Sequence, residues 1–287
     1  MAMSTTQNSG DPTFEGEEPA QRLMHCISLI ERWAPYVQSQ IRVERGSMLD
    51  SSDRNCRQAE VSTIAWQGIS IALEHVTAVA KIVKGNLDEE TWSPYLTPSA
   101  THAFLRSSQL SASRALWILD AESFDLQANR ALEVKYAELR NEKNALEDIT
   151  LDEQLNDAYG VEGLPARAKQ CNSRLQELKS LLKSRVSKWS GTTSDTEIIK
   201  TAARYLQEDR KDAVLTHSYL MSWRMGSGSA HGYFWPTLMR GFETAEENGV
   251  VVAKSYGDLP QTAMAFMSIT LLLNRVLNLY QQYSTAR

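Results

Sequence analysis

The reactive side chains of this chain concentrate in Ser222-Trp223-Arg224-Met225-Gly226-Ser227-Gly228-Ser229-Ala230-His231-Gly232. Arginine presents a planar fork of donors that matches phosphate or carboxylate, and histidine exchanges a proton near neutral pH. On a helix, a step of seven residues returns a side chain to almost the same face, about 10 Å along the axis. A long arginine and an imidazole can both reach one nucleotide across that span. Gly226 and Gly228 instead favour a turn, which would aim backbone N–H groups and the hydroxyls of Ser227 and Ser229 at an anion. Either geometry suits phosphate recognition with a proton-transfer group beside it. The plainer alternative is a helix end at which His231 caps carbonyls and Arg224 pairs with a surface acid.

Other reaction classes lack their residues. Gly226-Ser227-Gly228 is not followed by the Gly-Lys-Ser/Thr of a phosphate loop, and no βαβ pattern surrounds it. Ser229 sits in no Gly-x-Ser-x-Gly elbow. The five histidines, His25, His75, His102, His217 and His231, show no zinc-ligand spacing, so neither a metal nor another cofactor is expected.

These residues must be positioned by helices. Of 287 residues, 42% are hydrophobic and 23% charged, with only 14 glycines and 8 prolines, a balance that favours a globular helical chain over an all-β one. A net charge of −5 supplies no global field for nucleic acid, so any such binding needs a local basic patch. Three scattered cysteines form no disulfide framework and point to a reducing cytoplasm. The polar, acidic residues 1–18 lack the basic start and apolar run of a signal peptide and are expected to be a flexible tail. Ala263 to Leu273 is too short to span a bilayer, so no membrane partner is expected.

Residues 19–287 then form a single domain. Helical periodicity runs from about Pro19 to Val43 with a kink at Pro35, and a second helix ends at Lys84 before Gly85-Asn86. Ser99 offers an N-cap for a helix over Ala100 to Leu119, and Leu126 to Ile149 is a long charged helix. Pro165 opens a strongly basic helix, and Thr193 or Ser194 caps a shorter one reaching Leu206. Asp212 to Trp223 leads into the Arg/His segment. Asn248-Gly249 before Val250-Val251-Val252 signals a β-hairpin, and an apolar helix runs from Leu259 to Tyr283. The expected fold is all-α, a multi-helix bundle with a small β-hairpin inserted before the C-terminal helix.

Arg224-x6-His231 resembles the Arg-x(4–6)-His motif of HEPN-domain ribonucleases. The order of a tryptophan-bearing helix, a charged helix, the Arg…Ser…His-Gly segment and a terminal apolar helix is similar to bacterial HEPN-like proteins from Ser99 to Tyr283. That resemblance implies a HEPN-like core over 99–287 behind an N-terminal helical pair over 19–85. It also implies metal-independent RNA cleavage at a homodimer interface, in antiphage defence or a toxin–antitoxin pair. Arg224 would hold the scissile phosphate and His231 would act as general acid or base at the ribose 2′-hydroxyl. Ser227 and Ser229 would assist by hydrogen bonding, and a cognate antitoxin or defence-complex protein would be a partner.

For the RNA backbone, Arg167, Lys169, Arg174, Lys179 and Lys183 offer phosphate contacts along the basic helix, with Arg106 and Arg114 as further candidates. The alternatives are a solvated amphipathic face with Leu175, Leu178, Leu181 and Leu182 turned inward, and structural ion pairs for the two arginines. The competing function is a non-catalytic helical module that binds a partner or recognises a ligand.

Overall fold

A computed structural model describes residues 12–39, 41–85, 98–150, 164–210, 212–240, 243–247, 250–254 and 258–286. They form a helical bundle. In chain order the helices are α1 (Pro19–Trp33), α2 (Met48–Asn55), α3 (Val61–Gly85), α4 (Pro98–Leu119), α5 (Phe124–Thr150), α6 (Leu164–Arg185), α7 (Asp195–Arg210), α8 (Ala213–Ala230), α9 (Trp235–Arg240) and α10 (Leu259–Ser284). Between α9 and α10, strands β1 (Glu243–Glu247) and β2 (Val250–Lys254) pair antiparallel, from Glu243 opposite Lys254 to Glu247 opposite Val250. The Asn248-Gly249 link lies outside the described residues.

The N-terminal region departs from the expected helical pair. Proline cannot donate into the ladder and clashes with the preceding turn, so α1 ends at Trp33 and the chain tightens into a 3-10 segment over Ala34–Gln38. An extra short helix, α2, follows because Ser47 caps it by accepting from the Asp50 backbone N–H at 3.2 Å. The last part of the expected tail is packed rather than loose. Phe14 is buried against the core, and a Glu17 carboxylate oxygen lies 2.8 Å from His25 Nδ1. Residues 1–11 lie outside the described residues. The three cysteines are buried and free.

Helix α4 is the centre of the bundle, packed against α3, α5, α7, α8 and α10. Its start falls at Pro98, one residue ahead of the expected Ser99 cap, consistent with the preference of proline for a first turn. Unlike an all-apolar core helix, α4 buries Thr101, His102, Ser108, Gln109 and Ser113. Buried polar groups need partners, and two of these fix the neighbour. Gln109 donates to the Tyr219 carbonyl at 2.6 Å, and Ser113 shares a hydrogen bond with the fully buried Tyr219 hydroxyl. This pairing sets the register of α8 on α4. Burial raises the Tyr219 pKa, which keeps its hydroxyl protonated.

Helix α10, at 26 residues, is long and apolar enough by composition to cross a bilayer, yet 83% of its most apolar window is buried within the bundle.

Candidate functional site

The Arg/His segment is helical. Asp212 starts α8 by accepting from the Leu215 N–H at 2.9 Å, and the helix continues without a break through Gly226 and Gly228 to Ala230. The expectation that these glycines favour a turn is overturned, and their surroundings supply the reason. A Cβ on Gly226 would lie 2.5 Å from the His102 carbonyl oxygen and 2.6 Å from Arg106 Cβ. One on Gly228 would lie 2.8 Å from the Trp235 ring. The glycines let α8 approach α4 and α9 closely, and tertiary packing outweighs a helix-propensity cost of about 1 kcal/mol each.

The helix stops at His231, the C-cap. Tyr233 N–H donates to the Gly228 carbonyl at 2.9 Å and Gly232 N–H to the Ser229 carbonyl at 3.1 Å, with Gly232 at φ +70°. This is a Schellman termination, in which the left-handed residue falls naturally on glycine. His231 therefore stands at the helix end, but the carbonyls are capped by backbone amides and not by its ring.

On this continuous helix Arg224, Ser227 and His231 occupy positions i, i+3 and i+7 of one stripe, with the arginine and histidine about 10 Å apart along the axis. Arg224 and His231 are exposed and Ser227 is half-buried. Among the described residues no acid pairs with Arg224. The His231 ring has a single aromatic neighbour, Tyr233, at 5.9 Å between centroids.

Ser229 does not belong to that stripe. It lies about 140° around the helix from Arg224, where its hydroxyl accepts from Arg240 Nη1 at 3.4 Å. Beneath the stripe, Arg106 stacks its guanidinium over the Trp223 ring at 4.3 Å, a cation–π contact in place of an ion pair or an exposed RNA contact. His102 is 2% exposed with Nδ1 unpartnered. Burial, and then the charge of Arg240, lowers its pKa to about 4, so the ring is neutral at pH 7. Burial also lowers the Arg240 pKa.

The other expected RNA contacts are dispersed. Arg114 pairs with Asp195 at 2.9 Å and Arg167 with Glu142 at 2.6 Å. Cys171, Leu175, Leu178 and Leu182 turn inward on α6, which packs on α5, whereas α8 packs on α4, α7 and α10. Lys169, Arg174 and Lys183 are exposed and Lys179 is half-buried. Arg174 borders a hollow it shares with Arg57, Lys135, Glu60 and Glu177, so acids temper its charge. Only Arg106 adjoins the Arg224 helix, and it does so from the buried side.

Sequence reasoning missed the segment just beyond α8. Tyr233 (62%), Phe234 (63%), Trp235 (38%), Leu238 (51%) and Met239 (53%) are all exposed, a dense apolar group next to His231. Three consecutive aromatics directly after a helix-ending glycine were the available signal, because no single core direction can take all three. Arg240 and His102 were missed too, and nothing in their sequence neighbourhood marks them. No cluster of three metal-ligating side chains occurs among the described residues. No family model matches the chain, and neither the curated proteins nor the solved structures contain a significant match.

Proposed function

We propose that this chain is a metal-independent endoribonuclease of the HEPN type, acting as a cytoplasmic homodimer in antiphage defence or beside a cognate antitoxin. The observation that carries the reading is the α8 stripe. An exposed arginine, with no acidic partner among the described residues, and an exposed histidine share one face of a continuous helix.

In this reading Arg224 holds the nonbridging oxygens of an RNA phosphate and stabilises the charge that builds at phosphorus. His231 accepts the proton of the ribose 2′-hydroxyl as that oxygen attacks phosphorus. The 5′-oxygen leaves with a proton from a second imidazole, the other protomer's copy of His231, and a 2′,3′-cyclic phosphate remains. Ser227, between the two on the stripe, is placed to donate to a phosphate oxygen. Ser229 is turned toward Arg240 and takes no catalytic part here. The apolar group from Tyr233 to Met239 supports the dimer, since a second copy would cover it and bring two stripes together.

The same apolar group favours a second reading, a non-catalytic module that docks a different protein. The two are separated by incubating the wild type, Arg224→Ala and His231→Ala with RNA in excess chelator, alongside growth inhibition on expression. Cleavage by the wild type alone, leaving cyclic phosphate ends, supports the nuclease. If the wild type cuts nothing and neither substitution alters toxicity, the nuclease reading is dropped.

A further inference from the structure

Arg240 closes α9 with its side chain 8% exposed. Among the described residues its side-chain hydrogen-bond partners come from three elements and are all hydroxyls. Nη1 donates to Ser229 Oγ on α8 at 3.4 Å, and Nη2 donates to Ser99 Oγ on α4 at 3.4 Å and to Thr237 Oγ1 on α9 at 3.2 Å. Its Nε has no partner, and no carboxylate meets it among the described residues. A buried guanidinium without a counter-charge is strongly unfavourable, and neutral hydroxyls at such lengths compensate little of it.

The surroundings add positive potential. Ser99 belongs to the first turn of α4, where backbone N–H groups and the helix dipole favour an anion. One turn further along α4, His102 is buried with Nδ1 unpartnered and lies close enough to Arg240 for that charge to act on it. A cation with an unpartnered Nε thus stands at the positive end of a helix. A negatively charged oxygen ligand is what would satisfy both together.

We propose that Arg240, with Ser99, Ser229 and Thr237, forms a binding site for a phosphoryl group. Each hydroxyl accepts from the guanidinium through a lone pair and keeps its own O–H free to donate to an anion oxygen. The guanidinium supplies the charge and a fork suited to two of those oxygens. The phosphoryl group comes either from free phosphate or from a nucleotide or RNA strand. Because Ser229 lies on the far side of α8 from Arg224, the site does not depend on the nuclease reading.

The test is a titration of the full chain with inorganic phosphate against chloride at matched ionic strength, read by thermal denaturation and by 31P line broadening. The wild type should bind saturably and melt a few degrees higher, about 2–4 °C at a tenfold excess over Kd. Arg240→Gln should lose at least tenfold in affinity and the whole thermal shift. If Arg240→Gln does not fold, Ser99→Ala combined with Thr237→Ala decides, with several-fold weaker binding expected.

Short oligonucleotides with and without a 5′-phosphate then separate the sources. Competition by the phosphorylated strand alone marks a terminal phosphate, competition by both marks a backbone phosphodiester, and competition by neither leaves free phosphate as the ligand. All three support the site. Absence of saturable phosphate binding by the wild type overturns it, as does equal binding by Arg240→Gln or by the paired hydroxyl variant.

Discussion

The two sides of α8 have opposite characters although they come from the same eleven residues. The outer side carries Arg224, Ser227 and His231, with the two ionisable groups open to solvent and without acidic partners among the described residues. The inner side carries Ser222, Trp223, Gly226 and Ser229, pressed against His102, Arg106 and Arg240. Side chains that face water add little to stability, whereas those that pack set how closely the helices approach. One helix therefore presents two faces, an outer stripe open to solvent and an inner face that packs on α4 and α9.

Substitution at Gly226 should break the inner side most severely. A side chain there meets the His102 carbonyl, a backbone atom that moves only if α4 moves. Gly226→Val is expected to cost about 3 kcal/mol or more in urea unfolding, because overpacking at a helix–helix contact adds to the loss of the close approach. A fully stable Gly226→Val protein would show that α8 and α4 are not in this register.

His102 gives the inner side a pH signature of nearly the same size. Its folded pKa is about 4, below an unfolded value of about 6.5, so between those values the unfolded chain holds the extra proton. Stability from this group is complete above about pH 6.5, declines as pH falls and levels off below about pH 4. The wild type should lose about 3 kcal/mol more than His102→Gln on going from pH 7 to pH 4. Identical acid slopes for the two proteins would mean that His102 is not buried in this way.

The helices themselves were legible from the sequence because apolar spacing and proline positions are local signals. The α10 helix, for example, begins at Leu259 as its periodicity implies. The backbone through the Arg/His segment was not legible. Gly226 and Gly228 have a local preference against helix, and what overrides it is contact with His102, Arg106 and Trp235, residues far off in the chain or on the next helix. The same holds for Arg106. Its guanidinium has a place only once Trp223 is brought opposite, and no spacing within α4 announces that. Residues whose contacts depend on a partner in a distant segment stayed hidden, whereas the seven-residue spacing of Arg224 and His231 is local to the segment.

Between the two sides lies the helix end, which sets where the His231 ring stands. Gly232 has φ +70°, so Gly232→Ala should cost about 1 kcal/mol from left-handed backbone strain. If the nuclease reading holds, activity should fall by more than this loss of stability explains. Unchanged activity would separate the position of His231 from any catalytic role.

The smallest stability effect belongs to the outer side, and there a near-zero change carries the information. Arg224 and His231 are exposed, and no acid holds the arginine among the described residues. Arg224→Ala and His231→Ala should each change unfolding free energy by less than about 0.5 kcal/mol, the usual range for a surface side chain without partners. A side chain that a fold does not need, repeated seven residues on by another, is a plain surface unless something binds there. A loss of RNA cleavage or of toxicity in variants that remain fully stable would assign the stripe to chemistry. A clear loss of stability would move Arg224 and His231 to the structural side of α8, and the contrast between its faces would collapse.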